Sequence, residues 1–309
     1  MAKLIDLVST AAASKEIFEA VSNIVPEIGF FDSRKIAGTS FQTNVRITKP
    51  TAGFRAVGTG VVPSVSGYEL KTFNMKVLSG VVAVDKAAAE GDIRGRDKML
   101  ADEAIGQIAS ASKALAQQIW EGSDAAGFTG ARQLVKASNV IDVEGTTANT
   151  GSAVFAVGNN VENACGLNFS QDSKLLNVEE LEWFEQLIAQ EGGKVLPSYW
   201  TDLSSFCGFS CMDPNKIAMA KNIIADEGKG CTDDVLAEVL EKYMEANSGV
   251  KPDAFWMSWR SARQLRRSRG LSLETLDGSF ITKTAGVPTD FGGIPIYITS
   301  AISDKAAIA

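Results

Sequence analysis

The sequence predicts an α+β fold. Two observations carry that class. The hydrophobic period switches repeatedly between about 3.6 and 2 along the chain, and the helices and strands this implies intermix without the strand–helix–strand rhythm of a parallel α/β protein. The strongest single signal is a helical stripe of Ile105, Ile108, Leu115 and Ile119, with Ser112 in the missing place, running from about Arg96 to Trp120. At 1.5 Å per residue such a helix is about 37 Å long, enough to cross a domain, and Gly122 follows its end.

In chain order, Ile17, Phe18, Val21, Ile24 and Val25 have the spacing of a short amphipathic helix, stopped by Pro26, within an N-terminal arm over residues 1–40. The period then changes. Val45 and Ile47 alternate with Arg46 and Thr48, and Phe73, Met75 and Val77 alternate with Thr72, Asn74 and Lys76, as in two half-exposed strands. Between them Pro50, Gly53, Gly58, Gly60, Pro63 and Gly67 fill a span far longer than a hairpin turn needs. Residues 41–84 are therefore expected to form a long two-stranded flap. It carries Arg46, Lys49, Arg55, Lys71 and Lys76 against Glu69. An isolated ribbon is marginal in water, so the flap should gain stability from a surface beyond its own domain; a hairpin folded back on its own core is the alternative.

After the long helix, residues 128–176 read as short strands and turns, with 153–157 and 164–169 the clearest pair. Asn177 and Glu180 look like a capping box opening a helix through Gln190, a stretch holding Glu179, Glu182 and Glu185 and no basic residue. Thr232, Asp233 and Asp234 open a second acidic helix to about Ala246. A buried strand is expected over 254–259, and a last strand over 294–299. Between these two strands Arg260, Arg263, Arg266, Arg267 and Arg269 crowd onto a short helix, and residues 251–270 carry a local balance of +5. Such a helix can meet acidic helices of a neighbour, face a polyanion, or simply be solvated.

Composition removes several function classes. With 309 residues, 45% hydrophobic and 22% charged, the chain can bury a sizeable core in one or two domains. It has no histidine, which excludes Ser-His-Asp and Cys-His catalysis and histidine metal ligands. A net charge of −7 means that the surface as a whole does not hold nucleic acid by counterion release. Cys165, Cys207, Cys211 and Cys231 form no CxxC pair and are expected to be buried thiols in a reducing compartment; spacing by four would place Cys207 and Cys211 on one helical face. Asp6 interrupts the only apolar stretch near the start, and no run of about 18 apolar residues occurs, so neither a signal peptide nor a membrane span is expected.

No catalytic motif survives inspection. There is no phosphate loop, and Gly58-Thr59-Gly60 lacks the third glycine of a dinucleotide fingerprint. Asp290-Phe291-Gly292 matches the kinase metal triplet only by letters, and no Gly-x-Ser-x-Gly elbow is present. Carboxylates are plentiful but lie in helical runs, which suit a solvated or partner-facing surface better than a catalytic pair. A carboxylate-dependent hydrolase remains as a reading without a motif.

Taken in order, these segments resemble a tailed-bacteriophage major capsid protein of the Hong Kong 97 type, over nearly the whole chain. The resemblance rests on Phe54-Arg55, Gly60-Val61 and Ser64 in the flap, Val84-Asp85-Lys86 before the long helix, and Phe128-Thr129-Gly130 after it. Further on it rests on residues 152–157, Gly166-Leu167, residues 255–265 and Gly293-Ile294-Pro295-Ile296.

The resemblance implies a shell subunit with no enzymatic activity and no cofactor. The flap would be the extended loop, residues 85–135 the peripheral domain with its spine helix, and residues 136–309 the axial domain, with late strands returning to the peripheral domain. The implied partners are further copies in hexamers and pentamers, a separate scaffolding protein, a portal and decoration proteins. Packaged double-stranded DNA would be met by weak, non-specific contact, with no membrane involved. The location would be the virion, after assembly in the cytoplasm of a bacterial host. An encapsulin-like cage is the rival of the same fold. Expected inter-subunit contacts are Arg46, Lys49, Arg55 and Lys71 of the flap, Arg260, Arg263 and Arg267 of the arginine helix, and Glu179 and Glu182. The lysine–asparagine cross-link of the founding member has no counterpart that can be mapped onto this chain, and none is expected.

Overall fold

The computed structural model describes residues 25–48, 50–170, 182–189, 191, 194–225, 228–269, 271–274, 280–283 and 286–308. Apart from Val25, the helix expected at 14–25 lies outside them.

A mixed six-stranded sheet organises the chain. Its order is β16 (Asp290–Phe291), β17 (Ile294–Thr299), β13 (Ala254–Ser258), β7 (Ser152–Val157), β12 (Ile217–Ile223) and β6 (Val140–Asp142). Both faces are covered, and the sequence shows why. In β7, Ala153, Phe155 and Val157 enter one hydrophobic core while Val154 and Ala156 enter the other, the alternation that a strand buried on both sides requires. In β13, Ala254 and Trp256 face the first core and Phe255 and Met257 the second.

The first core is built on the long helix α3 (Arg96–Glu121), which follows two short helices, α1 (Pro26–Phe30) and α2 (Lys86–Glu90). Leu100, Ile108, Leu115 and Ile119 are buried on α3, and Ser112 fills the gap in the stripe as expected. Gly122 closes the helix at φ 58°, and a Cβ there would lie 2.6 Å from the Gly130 nitrogen, so both conformation and space demand glycine. At the end of α3, Trp120 packs on Phe155 and Trp256 with ring centroids 5.0 and 5.2 Å apart. Beside them Glu27 of α1 is fully buried. Its Oε1 accepts from Trp120 Nε1 at 2.9 Å and from the Thr299 hydroxyl, joining α1, α3 and β17.

Two smaller sheets complete this side. One has the order β1 (Ser33–Ile36), β8 (Cys165–Ser170), β11 (Ser205–Cys211), β4 (Lys76–Leu78); the other β5 (Val81–Asp85), β10 (Val195–Asp202), β9 (Phe184–Ala189). The short α4 (Ala131–Leu134) packs beside α3. On the far face of the large sheet α5 (Asp233–Ala246), capped by the Thr232 side chain, and α6 (Trp259–Ser268), capped by Ser258, bury Leu236, Val239, Tyr243, Ala262 and Leu265 in the second core. β14 (Leu271–Glu274) and β15 (Phe280–Lys283) form a separate hairpin.

Within the stretch expected as an arm, Val25, Ile28 and Phe31 are buried in the first core and β1 pairs with β8. Several other expectations are corrected. The strands at 153–157 and 164–169 exist but lie in different sheets. The acidic helix expected through Gln190 is, over its last part, strand β9: pairing with β10 overrides local helical preference, and Asn177 and Glu180 lie outside the described residues. Cys207 and Cys211 share a strand face, not a helix face. The strand expected over 254–259 stops at Ser258, and Trp259 begins α6 with 62% of its surface exposed.

All four cysteines are free and buried, with Cys165 Sγ 3.1 Å from Cys211 Sγ across the β8–β11 pair. Burial pushes the Cys207 and Cys231 thiols up to about 12, and that of Cys165 upward as well. A thiol must ionise to react. The folded chain is therefore expected to be inert to maleimide at pH 7 and to label at four positions in urea; one fast native thiol would contradict the packing.

Candidate assembly interface

The flap is a ribbon of β2 (Ser40–Thr48) and β3 (Gly67–Asn74), paired from Ser40 opposite Asn74 to Thr48 opposite Gly67. At 3.4 Å per residue it reaches about 27 Å before the tip begins. Phe41 stacks on Phe73 across the ladder at 5.5 Å, with the Arg34 guanidinium 3.9 Å from the Phe41 ring, and these contacts fix the base. At the far end the Gly67 amide donates to Thr48 Oγ1, where a Cβ on Gly67 would be 2.4 Å from that oxygen. The tip loop is tied by Ser64, whose Oγ accepts from the Thr51 amide at 2.9 Å and donates to the Thr51 carbonyl at 2.8 Å.

The tip does not fold back on the chain. Phe54 and Val57 are fully exposed, Val62 and Val65 nearly so, and Ile47, Val61, Tyr68 and Leu70 are more than half exposed. Single exposed apolar residues are ordinary and occur elsewhere, as at Ile93 and Leu187, whereas eight lie together on this one ribbon, a grouping that makes it a candidate contact surface. Charge analysis of the sequence missed this cluster. Its signal was present in the valines and Phe54 that lie among the glycines and prolines, where no period identifies a buried face.

The basic flap residues sit on the same ribbon. Arg46 donates to the Tyr68 hydroxyl at 3.0 Å, Arg55 donates to the Thr59 carbonyl at 2.8 Å, and Lys71 is half-buried opposite Thr43. Lys49 and Glu179 lie outside the described residues, and Glu182 is exposed just before β9. Among the described residues, Arg46, Arg55 and Lys71 form no ion pair with Glu182.

On α6 the arginines divide. Arg260, expected to reach a neighbour, is committed internally: its guanidinium donates to the carbonyls of Asp304, Thr150 and Ile223 at 2.9, 2.6 and 2.9 Å. These bonds satisfy carbonyls at one end of the large sheet, the strong kind that a charged donor makes. Arg269 is likewise paired with Asp233, Nε to Oδ2 at 2.9 Å, joining the end of α6 to the start of α5. Arg263 and Arg267 are exposed. Among the described residues no three acidic, cysteine or histidine side chains converge to hold a metal ion, and no helix is long and apolar enough to cross a membrane.

The family model for Major capsid protein GP7 matches residues 10–308. Among solved structures, that of bacteriophage Epsilon15 superposes with a TM-score of 0.58 at 13% identity, covering 89% of this chain and 87% of that one. The bacteriophage JBD30 capsid superposes with a TM-score of 0.53 at 10% identity, over 97% of this chain and 98% of that one. No curated protein sequence matches significantly. The fold is the Hong Kong 97 type, and the chain belongs to the Major capsid protein GP7 family, structural proteins that form the phage capsid shell.

Proposed function

We propose that copies of this chain form hexamers and pentamers that close an icosahedral shell around the double-stranded DNA of a tailed phage. The flap acts as the extended loop and lies across an adjacent copy. The observation that carries this is the flap itself: a ribbon about 27 Å long whose apolar tip is left exposed among the described residues. In this reading α3 is the spine of the peripheral domain and residues 136–309 supply the axial domain. A separate scaffolding protein, a portal and decoration proteins are the further partners, and assembly takes place in the bacterial cytoplasm.

Two kinds of contact hold the flap in this account, and their magnitudes differ. An exposed ion pair contributes about 1 kcal/mol or less, whereas burying one Val or Phe side chain contributes about 1.5–3 kcal/mol. Electrostatics therefore set register and the apolar tip supplies most of the adhesion. Reversing Arg46 and Arg55 together (R46E/R55E) is expected to lower the yield of sedimentable particles by severalfold while the free chain melts as wild type. Unchanged yield would remove the electrostatic part of the reading.

A further inference from the structure

The second core carries two surfaces that the flap account does not use. On α6, Trp259, Arg263 and Arg267 follow at intervals of four, so they share the face opposite the buried Ser261, Ala262 and Leu265. Trp259 is 62% exposed, and among the described residues neither Arg263 nor Arg267 has an ion-pair partner. On α5 an open groove of about 540 Å³ is lined by Leu240, Met244 and Phe291 together with Glu241, which has no ion pair among the described residues, and Glu245, which Lys242 meets at 3.5 Å. It is shallow and open to solvent, with an apolar floor of Leu240, Met244 and Phe291 against which an indole ring can lie.

The two surfaces are opposite in charge, and although α6 ends beside the groove, where Arg269 donates to the Asp290 carbonyl next to Phe291, Trp259 at its start does not reach the groove of its own chain. β13 runs antiparallel to β7 from Ala254 opposite Val157 to Met257 opposite Val154, so α6 starts beyond the Val154 end of the sheet. The last turn of α5 lies at the other end: Asn247 donates to the Asn215 carbonyl, two residues before Ile217, which pairs with Val157. A surface that repeats in a ring must be heterologous, one patch of each copy meeting a different patch of the next; a self-complementary patch closes only a pair. A knob at one end of the domain and a matching groove at the other meet that requirement.

We propose that, within a ring, Trp259 of one copy seats in the α5 groove of the next, with Arg263 and Arg267 against Glu241 and Glu245. The occupant of the groove is thus a second copy of this chain. The proposal rests on the shell reading and adds a contact that is independent of the flap. The acidic groove is what favours a protein partner over nucleic acid for the basic face, since the one matches the other in sign.

The direct test is proximity. In particles of the double variant R263C/E241C, a short bismaleimide is expected to give a denaturation-resistant ladder ending at pentamer and hexamer, while each single variant stays a monomer; the four native thiols are buried and silent. W259A is expected to lower particle yield at least tenfold without changing the melting of the free chain. If the double cysteine variant does not assemble, charge exchange decides: R263E and E241R should each depress yield, and R263E/E241R should restore it to within about threefold. Particles of R263C/E241C that cross-link no further than the single variants overturn the proposal, as does failure of the charge exchange to recover. W259A particles formed at wild-type yield but depleted of nucleic acid also overturn it, and assign the face to the genome. A wild-type chain that forms no ring or shell under any condition refutes the shell reading itself, an outcome distinct from these.

Discussion

Placing two aspartates at the flap tip (F54D/V57D) is expected to abolish shell formation, with sedimentable particles falling at least tenfold, while the free chain unfolds at the wild-type urea concentration. The two halves of that result come from the same fact. Phe54 and Val57 are fully exposed in the chain, so their replacement removes no intramolecular packing. If they are covered by a neighbour in the shell, each copy loses about 1.5–3 kcal/mol per apolar side chain and must also bury an unpaired charge. Since 1.4 kcal/mol is a factor of ten in an equilibrium constant, and the contact recurs in every copy, the assembled state has no margin for this change. Wild-type particle yield from F54D/V57D would show that the tip is a solvent-exposed loop.

The opposite separation is expected at the junction of α1, α3 and β17. Trp120→Ala removes the ring that packs on Phe155 and Trp256 and the indole N–H that donates to Glu27. Loss of a buried tryptophan costs about 3–5 kcal/mol, a large part of the 5–15 kcal/mol that holds an ordinary domain. Here the free chain itself should fail, with an earlier urea midpoint and loss of soluble protein, and shells should be lost as a consequence. Near-normal stability of W120A would mean that the aromatic cluster is not the keystone of the first core.

Glu27 makes the same junction sensitive to pH. Burial raises its carboxyl above the ordinary 4.5, so the folded chain favours the protonated form. A raised acid contributes fully at pH values below the unfolded value, and that contribution is lost as pH rises through the folded one. Glu27→Gln keeps an oxygen acceptor for Trp120 and cannot ionise. Its stability relative to wild type should therefore increase between pH 5 and pH 8, measured by urea unfolding of the free chain. A constant difference across that range would count against a proton on Glu27.

The sequence was most informative where one local rule dominates. The stripe from Ile105 to Ile119 and the glycine after it specify α3 almost to the residue, and Thr232 caps the acidic helix that follows it. Breakers between two alternating runs were enough to reveal the flap, because no other element needs so many glycines and prolines. Legibility failed where tertiary pairing decides. Residues 184–189 have helical composition but lie at a sheet edge against β10, which begins at Val195 and which periodicity does not see. The site was half legible for a related reason. Formal charge marks Arg260 and Arg263 alike, yet Arg260 closes three carbonyls inside the chain while Arg263 faces outward; only the position of the sheet end separates them. Trp259 read as the end of a buried strand because an apolar run conceals where a helix begins, and it is Ser258, taking the cap, that turns it to the surface.

The central claim is that the flap is completed by another copy of the chain. Electron cryomicroscopy of particles purified from cells making this protein, alone and with its genomic neighbours, tests it most directly. The account predicts closed shells of hexamers and pentamers in which each ribbon of β2 and β3 crosses onto an adjacent subunit and its tip, around Phe54, is covered there. Shells in which every flap lies on its own subunit, or a chain that remains a monomer or dimer under all conditions, would contradict it.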